Sequence, residues 1–314
     1  MATATIAPAG EKRAPADMRF GGVHGSRATP YLFVLPYLVL FLTFVAVPAV
    51  FGLWISLHDW DFLLESRPFV GLDNYTALAD PSSVQFEPFW RGMRATAIFT
   101  VASVPFLVAI PLGLAVLLHR KFPGRTFFRA TFFAPYVLGV AVIGVMWRYL
   151  LDPSFGMVNG LLRAVGLPGD TPWTTGQPWA WISLVAVTVW WTIGFNAIIY
   201  LAGLADISTD QYEAASLDGA SKWQQFRHIT VPGLRPVLVF VITVTVLASA
   251  NMFGQSYLIT QGGPGDSTRT AIIAITELGL SQYRMGQAAA MSYVLAVFLA
   301  VVSLINFYLL REKK

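Results

Sequence analysis

Six stretches of this chain contain no Asp, Glu, Lys or Arg over 18 or more residues: 28–57, 95–118, 130–147, 171–205, 236–265 and 285–310. A bilayer core about 30 Å thick takes about 20 apolar residues as a helix. Trimming the turn-rich ends predicts six spans, at 31–57, 94–118, 128–150, 180–204, 234–257 and 287–310. The fold class expected is therefore an all-α integral membrane protein with six transmembrane helices. Charged residues are only 12% of the 314, about half of what a soluble surface carries. The absence of cysteine excludes a disulfide scaffold and a thiolate metal site.

Lys and Arg set the expected orientation. Fourteen of the 21 fall on the side that holds both termini, seven on the other. Both termini are thus predicted in the cytoplasm, flanking the membrane domain as tails 1–30 and 311–314. The 1–30 tail, of mixed charge and rich in Ala, Gly and Pro, reads as disordered. Pro36, Pro48, Pro105, Pro111 and Pro135 lie within apolar runs. Each removes a backbone donor, and in lipid the freed carbonyl must be met by a neighbouring helix or a wet cavity. Such breaks suit a transporter or channel.

Residues 205–232 form the one polar segment with a clear internal plan. Ser208 with Gln211, and Ser221 with Gln224, have capping-box spacing. Gly219 suits a left-handed helix end, and Pro232 is expected to stop the second helix. Two short helices meeting at a glycine corner follow: either a surface pair that tidies a loop, or a docking element whose small knob of Ala214, Ala215 and Leu217 could fill a partner's groove.

Glu213-Ala214-Ala215, then Gly219, Ile229 and Val231-Pro232, resemble the EAA loop of permease subunits in binding-protein-dependent ABC importers. Val231 stands where the motif usually has Leu. Tyr257 to Pro264, with Gly262-Gly263-Pro264, is similar to the fifth-helix exit of sugar permeases of the maltose-transporter type. Phe69-Val70-Gly71-Leu72-Asp73-Asn74-Tyr75 resembles their first external loop. The likeness covers about 31–310. It implies the type I ABC importer permease fold and a multi-pass subunit of the plasma membrane. It also implies a second homologous permease, a cytoplasmic ATPase dimer and an extracellular or periplasmic solute-binding protein. Glu213, Ala214, Ala215, Asp218, Gly219, Arg227, Ile229 and Pro232 would then couple to the ATPase. No G-x-x-x-x-G-K-[ST] loop occurs, so ATP and Mg are expected on partner subunits, with no cofactor in this chain.

Sugars are held by hydroxyl-directed hydrogen bonds and aromatic stacking. Polar residues within apolar helices are the natural candidates. Thr245, Ser249 and Met252 fall on one helical stripe with Ser256, and Asn251 and Gln255 lie beside it. Trp190, Trp191, Phe195 and Asn196 lie near mid-membrane in the fourth run, with Thr192. The competing reading is that these residues glue helices together. The function expected is uptake of a mono- or oligosaccharide. Glycerol-phosphate uptake by the same family is the alternative, and an ion-independent channel or facilitator the alternative from another class. Catalysis, a metal site and nucleic-acid binding find no support. The four histidines are scattered, and no H-E-x-x-H or G-x-S-x-G occurs.

Overall fold

A computed structural model describes residues 29–310. The predicted tails 1–30 and 311–314 lie almost wholly outside the described residues. The chain divides into two compact units, one ending at Phe51 and one running from Gly52. In the first unit, helix α1 (Tyr31–Ser56) includes a π-helical turn at Leu42–Ala46 and carries its last turn into the second unit. From Tyr31 to Val50 every side chain except Ala46 is exposed, as expected of an apolar helix that lipid or another protein must cover.

The second unit continues with α2 (Asp73–Thr76), α3 (Phe86–His119), α4 (Arg125–Val137), α5 (Val140–Leu150), α6 (Met157–Ala164) and α7 (Trp179–Ala205). After these come α8 (Thr209–Leu217), α9 (Lys222–Gly233), α10 (Arg235–Ala250), α11 (Ala271–Ser281) and α12 (Met285–Leu310). Among the described residues four helices, α1, α3, α7 and α12, are long and apolar enough to cross a membrane unbroken. The count reaches six when the bent pairs α4–α5 and α9–α10 each make one span.

Three boundaries differ from the sequence reading. The predicted span 94–118 starts earlier, at Phe86. Helix α3 has 34 residues, about 51 Å at 1.5 Å each, so it overreaches the hydrocarbon. The predicted span 128–150 is broken by 95° between α4 and α5. Leu138 and Gly139 are extended there, so the helical run ends at Val137, two residues past Pro135, which lies inside α4. The predicted span 234–257 ends as a helix at Ala250. Charge-free length cannot reveal a break when the broken turn is itself apolar. Pro36, Pro105 and Pro111, by contrast, stay inside continuous helices.

Helix α3 threads three apolar clusters. Phe89 and Met93 pack with Ala271 and Met291. Phe99 packs with Ile143, Leu184 and Met252. Ala115 packs with Tyr200, Leu204, Leu234 and Val241. Helix α4 lies directly against α7 at Gly194, where a Cβ would stand 2.3 Å from the Phe132 carbonyl oxygen.

The motif at residues 69–75 forms a clamp. Buried Asn74 donates to the carbonyls of Ser56 (2.9 Å) and His58 (3.0 Å), and the Tyr75 hydroxyl pairs with Ser56 Oγ at 2.6 Å. It fixes the end of α1 to the loop that leads into α3.

Candidate functional site

Two features carry the chemistry: the helix pair 209–233 and a cleft at the two breaks in the spans. Ser208 caps α8 by accepting from Asp210 N. The expected reciprocal bond with Gln211 is not the one formed. At Ser221 the capping box is complete, with Ser221 Oγ accepting from Gln224 N and Gln224 Oε1 accepting from Ser221 N. Gly219 has φ +79°. Its N–H reaches Ser216 O, and Ala220 N–H reaches Ala215 O at 2.9 Å. That pair of bonds is a Schellman ending, which closes α8 with its last carbonyls satisfied.

Pro232 does not stop the second helix. Val231 is helical (φ −64°, ψ −46°), and the chain continues to Gly233 before a 70° bend into α10. The reason is a π-helical turn at Phe226–Thr230, where Val231 N–H bonds to Phe226 O. One extra residue in the turn shifts the bonding pattern next to the proline's missing donor. The bend falls at Leu234, which is fully buried.

The pair is cemented from inside. Gln225 is buried. Its Nε2 donates to Ser216 Oγ (2.8 Å) and Ala220 O (3.2 Å), and its Oε1 accepts from Lys222 Nζ (3.1 Å). Tyr212 Oη and Thr230 Oγ1 pair at 2.9 Å. Glu213, Ala214, Asp218, Gly219 and Arg227 are exposed, Ala215 and Ile229 half-buried. Leu217 is 89% and Trp223 67% exposed. An apolar knob is thus presented outward on a rigid polar core. The spacing of the motif showed the knob but gave no sign of Gln225.

The cleft has a volume of about 530 Å³ and lies between α3, the α4–α5 break, α7 and the end of α10. It gathers Thr245, Ser249, Asn251, Met252, Gln255, Trp191, Phe195 and Asn196. Trp190 is not among them. It faces an apolar groove of about 710 Å³ with Trp181 and Phe132, and it stacks edge-on against Trp147. The cleft also takes in Thr192, named with the fourth-run group, and Tyr136, Val140, Thr188 and Phe253, which the sequence reading did not assign to it. Pro135 and Gly139 were the available hint for Tyr136 and Val140. No Lys, Arg, Asp or Glu lines it.

Several lining groups are bound to the frame. Pro111 cannot donate to the Leu107 carbonyl one turn back, and Asn196 Nδ2 donates to it instead, at 3.0 Å. Trp191 Nε1 donates to Leu138 O (3.1 Å) at the α4–α5 break. Ser249 Oγ accepts from Ser103 Oγ (3.2 Å). Tyr136 and Phe195 stack at 4.5 Å and 16°. The expected stripe through Ser256 does not exist as one helical face, because Asn251 to Phe253 are not helical. Ser256 is fully buried and bonds to Thr268 O. Thr270 Oγ1 meets the Met252 carbonyl at 2.8 Å, and Thr268 Oγ1 joins Thr260 Oγ1 and Gly263 O, each at 2.7 Å. These threonines hold the Gly262-Gly263-Pro264 exit as a fixed polar staple.

With this geometry in place, similarity to other proteins becomes informative. Residues 98–313 match the family of binding-protein-dependent transport system inner membrane components. A probable starch degradation products transport system permease of Thermoanaerobacterium thermosulfurigenes is 30% identical, over 90% of this chain and 94% of its own. An arabinooligosaccharides transport system permease of Bacillus subtilis is 32% identical, over 91% and 90%. A trehalose/maltose transport system permease of Thermococcus litoralis is 31% identical, over 87% and 92%. A crystal structure of a bacterial ABC transporter involved in import of the acidic polysaccharide alginate superposes with a TM-score of 0.76 at 26% identity, over 90% of this chain and 94% of that one. The expected type I importer permease fold is the fold observed, and the chain belongs to the family of binding-protein-dependent transport system inner membrane components.

Proposed function

We propose that the chain is one of two permease subunits of an ATP-driven importer, and that its cleft forms half of the path for a neutral sugar. One observation carries the reading. The capped pair α8–α9 runs through the bend at Leu234 directly into α10, and α10 ends in the cleft. A push on the pair therefore reaches the path along the backbone itself, as rigid alternating access needs. A cytoplasmic ATPase dimer, holding ATP and Mg, would receive the knob of Ala214, Ala215 and Leu217. A second homologous permease would close the cleft from the other side. The expected orientation, both termini in the cytoplasm, puts the pair on the ATPase side and the clamp at Asn74 outside, where a solute-binding protein would dock. The alginate importer has been solved with a pentasaccharide-bound periplasmic protein, which supports that partner class.

The sugar class follows from chemistry as well as likeness. The cleft offers amides, hydroxyls and aromatic faces but no charge. That favours a neutral polyhydroxylated solute over glycerol phosphate or an acidic sugar. The relatives named for starch products, arabinooligosaccharides and trehalose/maltose point the same way. The deciding experiment is affinity purification from native membranes, followed by ATP hydrolysis with added sugars. Recovery of a second permease, an ATPase and a binding protein, with hydrolysis raised by one neutral sugar, is the expected result. A chain recovered alone, or hydrolysis raised only by an anionic solute, would refute it.

A further inference from the structure

From Pro88 to Leu151 the chain contains no acidic residue at all. Within that stretch the turn from α3 to α4 carries four cations in ten positions: Arg120, Lys121, Arg125 and Arg129. The local structure draws them together. Arg120 leaves α3 in an extended conformation. Gly124, at φ +82°, turns the chain into α4. Arg129 Nη2 then donates to Leu118 O at 3.0 Å, tying the second turn of α4 to the last turn of α3.

None of the four belongs to an ion pair among the described residues. The pairs found there involve only Arg91 and Arg269. Arg120 and Lys121 are exposed, Arg125 and Arg129 half-buried, and all four share their turn with Phe127 and Phe128, 69% and 45% exposed. Those rings contact each other with centroids 5.8 Å apart and stand beside two spans, at a membrane edge. Aromatic rings at such an edge sink toward the acyl boundary while neighbouring guanidiniums stay at headgroup level. The first turn of α4 adds free backbone N–H groups, since no side chain caps it.

We infer that this turn binds the phosphate headgroup of an anionic phospholipid. Arginine suits phosphate through paired N–H donors, and a basic cluster next to a span is attracted to anionic lipid. An acidic surface on a cytoplasmic protein would also match the charge, but it would leave the two phenylalanines in water. The site needs only that the turn lie at a membrane edge, so it stands whichever sugar the importer carries.

The test uses the whole complex, solubilised mildly, with phosphatidylglycerol and phosphatidylethanolamine counted per complex by mass spectrometry. The wild type should retain phosphatidylglycerol preferentially, and excess inorganic phosphate should not strip it. Arg120→Gln/Lys121→Gln/Arg125→Gln should bind it more weakly by about fivefold per cation removed, while Arg284→Gln, an exposed cation elsewhere, should leave retention unchanged. Equal retention by the triple variant overturns the site. So does loss of the ATPase subunit with lipid retained, which would make the turn a protein contact. If the triple variant does not assemble, Arg125→Gln alone, or added salt on the wild type, must still lower phosphatidylglycerol retention for the site to stand.

Discussion

Asn196 shows how one side chain can look like a ligand contact and be a brace. It lies in the cleft and is polar, yet its amide N–H is spent on the carbonyl that Pro111 leaves unmet. Asn196→Ala should cost about 1–3 kcal/mol, the desolvation of a buried carbonyl without a donor. It should appear as a lower unfolding temperature in detergent, even without sugar. An unchanged unfolding temperature would return Asn196 to the substrate contacts. Gly219 is constrained differently. Its φ of +79° costs a residue with Cβ about 1–2 kcal/mol, while no atom stands within 4 Å of that Cβ. Gly219→Val should therefore insert in the membrane normally but lower hydrolysis in the assembled complex, and hydrolysis at the wild-type rate would show the corner to be dispensable.

At the scale of elements, the pair α8–α9 acts as one piece because Gln225 ties α8, the corner and α9 together. Gln225→Met keeps the volume and removes all three bonds. Its complex should assemble with its ATPase and hydrolyse ATP, but consume several-fold more ATP per sugar moved. Ser216→Ala, which cuts one of those bonds from the other side, should do the same to a smaller degree. A ratio equal to wild type in both would mean that the pair is rigid without them. How far this was legible is instructive. Charge-free runs located the four unbroken spans and the apolar parts of the two bent pairs, and capping residues located both short helices. The runs could not show the bend at Leu138 or the end of α10 at Ala250, since a break between apolar turns leaves hydropathy unchanged. Pro232 misled because the rule for the residue before proline is statistical, whereas here a π-helical turn at Phe226–Thr230 carries Val231 into the helix through its bond to Phe226 O. The cleft was half legible: its polar residues stood out, but Trp190 and Trp191 point to different cavities, and adjacency in sequence cannot separate them.

For the whole molecule, the prediction concerns uptake. Thr245 is buried in the cleft wall and Gln255 half-buried, and neither side chain has a hydrogen-bond partner among the described residues. With the Tyr136 hydroxyl, which lines the cleft and likewise has no hydrogen bond among the described residues, they are lining groups free to meet a sugar. Thr245→Val and Gln255→Ala should each lower uptake several-fold with the amount of complex unchanged, since each removes one hydrogen bond of about 1 kcal/mol. Their unfolding temperatures should stay close to wild type, in contrast to Asn196→Ala. Uptake at the wild-type rate in both would place the path elsewhere.

The broken spans have an electrical consequence. Val140, the first residue of α5, and Asn251, just past the end of α10, line the same cleft. A helix N-terminus carries about half a positive charge and a C-terminus about half a negative one. The cleft is therefore polarised without being charged. A hydroxyl-bearing solute in the cleft would meet a donor-rich pole at one wall and an acceptor-rich pole at the other, and the field between two half charges of opposite sign would turn its dipole to fit.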